Sequence, residues 1–389
     1  MKNWPTIKVA DEFNLQMGKT PARDNPAYWG GDQKWASIAD IARSGMYLSE
    51  TKEAITQEAV SESGIKAVPQ NTLVMSFKLS IGRTAITTSR MYTNEAIIAF
   101  LPHDAIAFDL HFLYHLFSNR NWSEGCNKAV KGVTLNKATL NAARIPKPCI
   151  SEQRVVASTL DKICDLISKC DEQLVRLDQL VKSRFVEMFG DTRTNTKSLP
   201  VRRLDNVCLS IVRGPFGSAL KKEFFVAKSP NTYKVYEQKH AIQKSASIGS
   251  YYIDAARFNE LRRFECKPGD IIMSCSGTMG EFFRLPDDCE QGVMNQALCK
   301  FSLSDAVLPV YFLNYMKNAI GLLRTQGSGI QNIAAVSYVK SMPFLLPPLA
   351  LQREFAAFVK KVDKLAFAAR RRRDVAKQLY RAKIQEYFG

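Results

Sequence analysis

Apolar residues recur at alternating spacings of four and three from Val156 to Met188: Val156, Leu160, Ile163, Ile167, Cys170, Leu174, Leu177, Val181 and Met188, with only Arg184 out of keeping. A stripe that returns about every 3.5 residues predicts a helix carrying a coiled-coil seam. The same positions shifted by 199 residues read Phe355, Val359, Val362, Ala366, Ala369, Arg373, Ala376, Tyr380, Lys383 and Tyr387. That second stripe is weaker and rich in alanine, which lets a partner helix approach closely. Prolines precede each segment and Gly190 and Gly389 close them, as helix punctuation does. At about 1.5 Å per residue each helix is roughly 50 Å long.

The shift of 199 residues is a repeat. With Gln153 set against Gln352, the segments run without a gap to Gly190 and Gly389, and Gln153, Arg154, Ala157, Lys162, Leu166, Gln179, Leu180, Glu187, Phe189 and Gly190 are identical to their partners. The repeat continues upstream more loosely. "NTLVMSFKLSIGRTAI" from Asn71 parallels "GDIIMSCSGTMGEFF" from Gly269, "YTNEAIIAF" parallels "VMNQALCKF", and "GVTLNKATLNAARIPKP" parallels "GIQNIAAVSYVKSMPFLLP". The chain therefore reads as one unit twice over, with boundaries at 1–150, 151–190, 191–347 and 348–389.

Outside the helical segments the pattern changes. Short apolar runs such as "TLVMSF", "DIIMSC" and "ALCKFSL" are bounded by Gly, Asn and Pro and predict strands and turns, whereas "HFLYHLFSN" and "VYFLNYMKNAI" predict helices. The expected fold class is α+β: two pseudo-repeated globular domains joined by two long antiparallel coiled-coil helices.

Charge adds an orientation and a partner. From 153 to 190 acidic and basic residues balance, whereas 352–389 is strongly basic. If the helices pair antiparallel at full overlap, Asp171 and Glu172 lie near Arg370, Arg371, Arg372 and Arg373 and set the register. The whole chain has 54 Lys and Arg against 37 Asp and Glu, a net charge of +17, and a chain this basic is expected to meet a polyanion, most often nucleic acid. The nine cysteines are odd in number and include no C-x-x-C pair, so neither a disulfide framework nor a zinc site is indicated, and free thiols suit a cytoplasmic setting. The start has no signal-peptide core, and no window is apolar enough to predict a membrane span. His111 and His115 are four residues apart and can share a helix face, but no third metal ligand is near them in sequence.

Polar, glycine-rich stretches fall at matching places in both halves. "KTPARDNPAYWGGDQKW" (Lys19 to Trp35) corresponds to "RGPFGSALKK" (Arg213 to Lys222), and "CNKAVKGVTLNK" to "QGSGIQN". Such loops bring backbone N–H groups and cations to phosphates, while Asn, Gln and Arg read base edges. The candidate DNA-contacting residues are Lys19, Thr20, Arg23, Lys34, Lys78, Arg83, Lys128 and Lys131 in the first half. In the second they are Arg213, Ser218, Lys221, Lys222, Thr278, Gln331 and Asn332.

The duplicated order of these features, with the Pro-Pro stretch before Gln352, the helix ending at Phe388, "GPFGSAL", "KPGDIIMSCSGTMG" and "KTPAR…YWGG…W", resembles the specificity subunit of type I restriction–modification systems. The resemblance covers essentially the whole chain. It implies that each globular domain is a target-recognition domain reading one half of a bipartite duplex DNA target. It implies that the helices act as spacer and as dock for two methyltransferase subunits, and that restriction/translocase subunits join that core. S-adenosylmethionine is then expected on the methyltransferase, with no cofactor or metal on this chain and no catalysis by it. The halves differ, as where Gly269 and Asp270 become Asn71 and Thr72, which implies an asymmetric target. Half-site centres about one turn of DNA apart, roughly 10–14 base pairs, fit the spacer.

Two rival readings stay open at this stage. Asp254, Glu265 and Lys267 match a D-x(n)-E-x-K nuclease pattern, in which two carboxylates and a lysine bind Mg²⁺, although the first half has no equivalent triplet. No phosphate-binding G-x-x-x-x-G-K-[ST] loop is present. The other alternative is a basic coiled-coil scaffold that binds an acidic protein and reads no DNA sequence.

Overall fold

The computed structural model describes residues 4–78, 80–104, 106–122, 128–129, 132–133, 135–215, 217–324 and 336–389. Two 40-residue helices, Ile150–Phe189 and Leu349–Phe388, dominate it. The chain divides into two compact units, Met1–Glu172 with Ala369–Gly389, and Gln173–Ala368, so the division cuts both long helices.

In the first unit the strand Phe13–Met17 forms one edge of a five-stranded sheet, followed in order by Ile97–Pro102, Leu73–Ser76, Thr84–Thr87 and Tyr47–Leu48. A second sheet orders Glu53–Ile55, Trp29–Ala36 and Tyr92–Thr93. The helix Leu110–Asn119 buries Phe112, Leu113, Leu116 and Phe117 against Leu73, Met75, Ile98 and Phe100 of the first sheet, in one cluster with Val156, Ala157 and Leu160 of the first long helix and Tyr387 of the second. The unit's core is therefore continuous with the seam, and the domain is seated on its helices by apolar burial.

The second unit repeats this plan. Cys208–Arg213, Leu298–Leu303, Ile271–Ser274 and Phe282–Arg284 form one sheet, and Tyr252–Ile253, Tyr233–Tyr236, Gly292–Met294 and Glu265–Cys266 form the other. The parallel pairing of Trp35 with Tyr92 has its counterpart in that of Val235 with Val293. Phe185, Phe189, Phe355 and Val359 of the long helices pack with Tyr311, Phe312 and Phe344, and the ring centroids of Phe185 and Phe355 are 5.6 Å apart.

All ten seam positions read from each helix are buried or half-buried. Within the first unit the helices run antiparallel: Arg373 Nη1 donates to Asp171 Oδ1 at 3.0 Å, and seven residues back from Asp171 the thiol of Cys164 meets the hydroxyl of Tyr380, seven residues on from Arg373. Within the second unit Arg184 Nη2 donates to Glu354 Oε1 at 2.8 Å.

The repeat holds in backbone conformation where the side chains differ. Asn71 and Gly269 are both left-handed, with φ of 56° and 86°. Asparagine tolerates that region better than other residues with a Cβ, so the Gly-to-Asn difference leaves the turn intact. The serine that ends each turn's leading strand also serves both units. Ser76 Oγ donates to Ser80 O and accepts from Arg83 N at 3.2 Å. Ser274 Oγ donates to Thr278 O at 2.6 Å and accepts from Glu281 N at 3.0 Å.

Candidate nucleic-acid interface

The two matching loops leave their domains through the same clamp. Gly18 N donates to Ile97 O at 3.1 Å and Gly214 N to Leu298 O at 2.9 Å. Each glycine lies against the carbonyl of an asparagine, Asn94 or Asn295, whose own side chain accepts from the backbone two residues on at 3.1 and 3.0 Å. A Cβ on Gly18 would sit 2.2 Å from Asn94 O, and one on Gly214 would sit 1.8 Å from Asn295 O. No side chain fits there, so the point from which each loop departs is set by backbone packing.

Beyond Gly18 the loop is pinned by its own aromatics. Trp35 Nε1 donates to Lys19 O and Trp29 Nε1 to Ala22 O, both at 3.1 Å. The Arg23 guanidinium lies 3.8 Å above the Trp29 ring and donates to both oxygens of Glu53, at 2.6 and 3.1 Å. That pairing holds the Glu53 carboxyl below its ordinary range and raises the Arg23 guanidinium. The Thr20 hydroxyl donates to Glu95, a contact that lowers the Glu95 carboxyl, with Lys78 and Arg23 adding to the effect. The Lys19–Arg23 stretch and the turn carrying Lys78 and Arg83 are thus brought together around Glu95. Lys34 lies apart from them, donating to Ser49 O at 2.5 Å and to Glu50 Oε1 at 3.2 Å. Arg83 is exposed.

In the second unit Arg213 ends its strand opposite Cys299, and the loop beyond it passes through the short turn Gly217–Leu220. Arg257 holds that turn by donating to Ala219 O from Nε at 3.1 Å and from Nη2 at 2.5 Å, with its guanidinium 4.1 Å from the Phe224 ring. Lys221 pairs with Glu223 at 3.4 Å. Lys222 and Thr278 are exposed. Lys131, Gln331 and Asn332, and the side chains of Lys128 and Ser218, lie outside the described residues.

The nuclease-like triplet is spread over unrelated duties. Asp254 caps the helix Ala255–Glu260, accepting from Arg257 N at 2.8 Å. Glu265 accepts from Gln291 Nε2 at 2.7 Å and lies 3.6 Å from Lys267. Among the described residues no group of three His, Cys, Asp or Glu is placed to hold a metal ion.

The sequence did not reveal that Arg23 and Lys34 are paired within their own domain, because Glu53 and Glu50 lie 30 and 16 residues from them. It also passed over Lys66 and Lys137, which join Lys19 along a groove beside the strand Phe13–Met17. Among the described residues no helix is long and apolar enough to cross a membrane.

The family model described as "Type I restriction modification DNA specificity domain" matches residues 1–175 and 201–376. Among curated relatives, the chain is 30% identical over 194 residues to the type I restriction enzyme MjaIX specificity subunit of Methanocaldococcus jannaschii, a match covering 49% of this chain and 44% of that protein. It is 26% identical over 177 residues to the EcoR124I/EcoR124II specificity subunit of Escherichia coli, covering 43% of each. The matches thus span less than half the length of these two relatives. Among solved structures, the S subunit of a type I restriction-modification system from M. genitalium aligns over 100% of this chain and 96% of its own, at a TM-score of 0.55 and 13% identity. A structure described as the basis of complex assembly and conformational transition of the type I R-M system aligns over 100% and 98%, at a TM-score of 0.64 and 15% identity. At these identities the structural likeness bears on the fold alone.

Proposed function

Because the chain belongs to the family of type I restriction modification DNA specificity domains, we propose that it is the non-catalytic, sequence-reading subunit of a cytoplasmic type I restriction–modification complex. Each globular domain reads one half of an asymmetric bipartite duplex, and the paired helices set the spacing between halves. The observation that carries this reading is a scaffold used twice with different loops upon it. The clamps at Gly18 and Gly214 and the turns at Ser76 and Ser274 are alike. The loops they launch share almost no side chains, "KTPARDNPAYWGGDQKW" against "RGPFGSALKK". Two copies of one frame presenting unlike polar groups suit two unlike half-sites.

The helices support the docking part of the proposal. Besides the buried and half-buried identities, the repeat keeps Arg154 and Arg353, Lys162 and Lys361, Leu166 and Leu365, Gln179 and Gln378, Leu180 and Leu379, and Glu187 and Glu386, every one exposed. At about 100° per residue these positions lie off the seam, with Arg154, Lys162 and Gln179 on the far side of the helix and Leu166, Leu180 and Glu187 on one flank, and the repeat places their partners alike. Exposed positions held in common on both helices fit two copies of one partner, here methyltransferase subunits carrying S-adenosylmethionine, with restriction/translocase subunits joining them.

The test is selection from a random duplex pool at near-physiological salt, by the full chain alone and with the methyltransferase added. Two short unlike motifs at a fixed gap are expected. If neither arm yields a motif, the reader proposal falls and a basic scaffold takes its place.

A further inference from the structure

Three of the cationic candidates that the sequence singled out in the first domain already face carboxylates: Arg23 faces Glu53, Lys34 faces Glu50, and Lys78 faces Glu95, which also accepts from the Thr20 hydroxyl. One candidate, Lys19, instead joins two lysines that the sequence did not single out. Lys19, Lys66 and Lys137 line one open groove beside the strand Phe13–Met17, together with Asn14, Gln16 and Gly64. All three lysines are exposed. No carboxylate lines the groove, and among the described residues none of the three ammonium groups is in an ion pair, although Lys19 Nζ donates to the backbone carbonyl of Ser63 at 2.5 Å.

The groove is built from fixed parts. Its floor is the edge strand of the five-stranded sheet, and the outer edge of such a strand leaves a row of backbone donors and acceptors unused by the sheet. Its far wall is tied to that floor by Gln16, whose Nε2 donates to Ala67 O at 3.0 Å and to Lys66 O at 3.3 Å. The remaining wall carries Lys137, the first residue of the helix Lys137–Ala142. Lys19 is also the residue at which the pinned loop begins, so the groove runs up to the candidate reading surface.

From this arrangement we infer that the groove of Lys19, Lys66 and Lys137 seats the sugar–phosphate backbone of the duplex and positions the first domain on DNA without reading its bases. The inference rests on the DNA-reader proposal and adds to it a division of labour: phosphate charge is met at the groove, while the loop between Lys19 and Trp35 faces the bases. Three point charges beside an edge strand suit phosphates, which carry no sequence information, and ammonium groups seat them without a fixed hydrogen-bond fork.

The experiment compares the full chain with a triple variant, Lys19→Gln, Lys66→Gln and Lys137→Gln. Binding is measured across a salt series to a random-sequence duplex and to a duplex recovered by selection, each with and without the methyltransferase. Counterion release gives a slope of about −0.9 per phosphate contact in log K against log salt, so the triple variant is expected to lose about 2 to 3 units of slope on both duplexes. Its preference for the selected duplex is expected to stay within about twofold of the parent. A triple Lys→Arg variant keeps the charge and is expected to keep the slope. Lys169→Gln, on the first long helix and already facing Asp165, serves as the charge control.

An unchanged slope in a triple variant of normal thermal midpoint overturns the inference, as does an equal loss in the Lys169→Gln control. A parent that binds random duplex through the groove yet selects no motif supports the groove and removes the reader proposal. A chain that binds no duplex in any arm removes both.

Discussion

Gln153 and Gln352, 199 residues apart in sequence, make the same three hydrogen bonds in their separate units. Gln153 Oε1 accepts from Asp109 N at 2.8 Å, while Nε2 donates to Ala107 O at 3.2 Å and Pro148 O at 3.0 Å. Gln352 Oε1 accepts from Leu308 N at 2.8 Å, while Nε2 donates to Ala306 O at 3.0 Å and Pro347 O at 2.9 Å. Both side chains are fully buried. Each ties the first turn of a long helix to the chain entering it and to the loop before the domain's main helix. Gln153→Leu or Gln352→Leu keeps the volume but leaves a buried N–H and two carbonyls without this partner. A stranded buried group costs about 1–3 kcal/mol, so each variant is expected to lose about 2–4 kcal/mol, read as a lower urea midpoint.

The glycine clamps lead to a second prediction. Gly18→Ala and Gly214→Ala each drive a Cβ into the carbonyl of Asn94 or Asn295. Neither obstacle is a flexible side-chain tip, so the backbone must shift. A forced shift of this kind costs about 1–3 kcal/mol or more, and it also moves the point from which the loop departs. Both variants are expected to unfold at lower denaturant. Where they stay folded, each is expected to weaken selection at one half-site only, read by repeating the duplex selection with each variant.

The seam was legible because period alone decides which side of a long helix is buried, and every predicted seam residue from Val156 to Met188 is at least half-buried. The identity of Gln153 with Gln352 was equally visible, but its reason was not, since its bonds reach back over 44 to 46 residues to carbonyls and amides that composition does not reveal. The loops could be located from Gly, Pro and Trp punctuation. Whether Arg23 was available could not be, because Glu53 reaches it only through the pairing of the strand Glu53–Ile55 with Trp29–Ala36. The groove was hidden for the same reason: Lys19, Lys66 and Lys137 are distant in sequence and become neighbours only when the sheet forms.

The duplicated exposed face predicts a change in stoichiometry. Leu166 and Leu365 are 43% and 54% exposed, so a charge at either position burdens the fold little. Leu166→Glu or Leu365→Glu is expected to reduce bound methyltransferase from two copies per chain to one, and the double variant to none, with duplex binding by the chain itself unchanged. Native mass spectrometry or light scattering of the assembled complex checks this.

The last prediction concerns pH. In the first unit Asp161 accepts from His111 Nδ1 at 2.7 Å and from His115 Nε2 at 2.8 Å. The fully buried His115 ring then accepts at Nδ1, 3.0 Å from the Tyr380 hydroxyl, which in turn accepts from Asn119 Nδ2 at 3.0 Å. The chain of bonds runs in one direction and uses a neutral His115. A proton on Nδ1 would force the Tyr380 hydroxyl to turn away and accept from both the imidazolium and Asn119, giving up its own bond to the ring. Burial accordingly pushes the His115 imidazole below its ordinary value, against the pull of Asp161 and Asp109 and with a smaller push from His111. The folded chain therefore takes up this proton at lower pH than the unfolded chain. Stability from this group is full above the unfolded value of about 6.5 and is lost as pH falls from there toward the folded value. His115→Gln, which cannot titrate, is expected to be less stable than the parent at pH 7.5 and to show a flatter decline between about pH 6.5 and 5, read from urea midpoints across that range. An equally steep decline in the variant would assign the pH dependence to other groups.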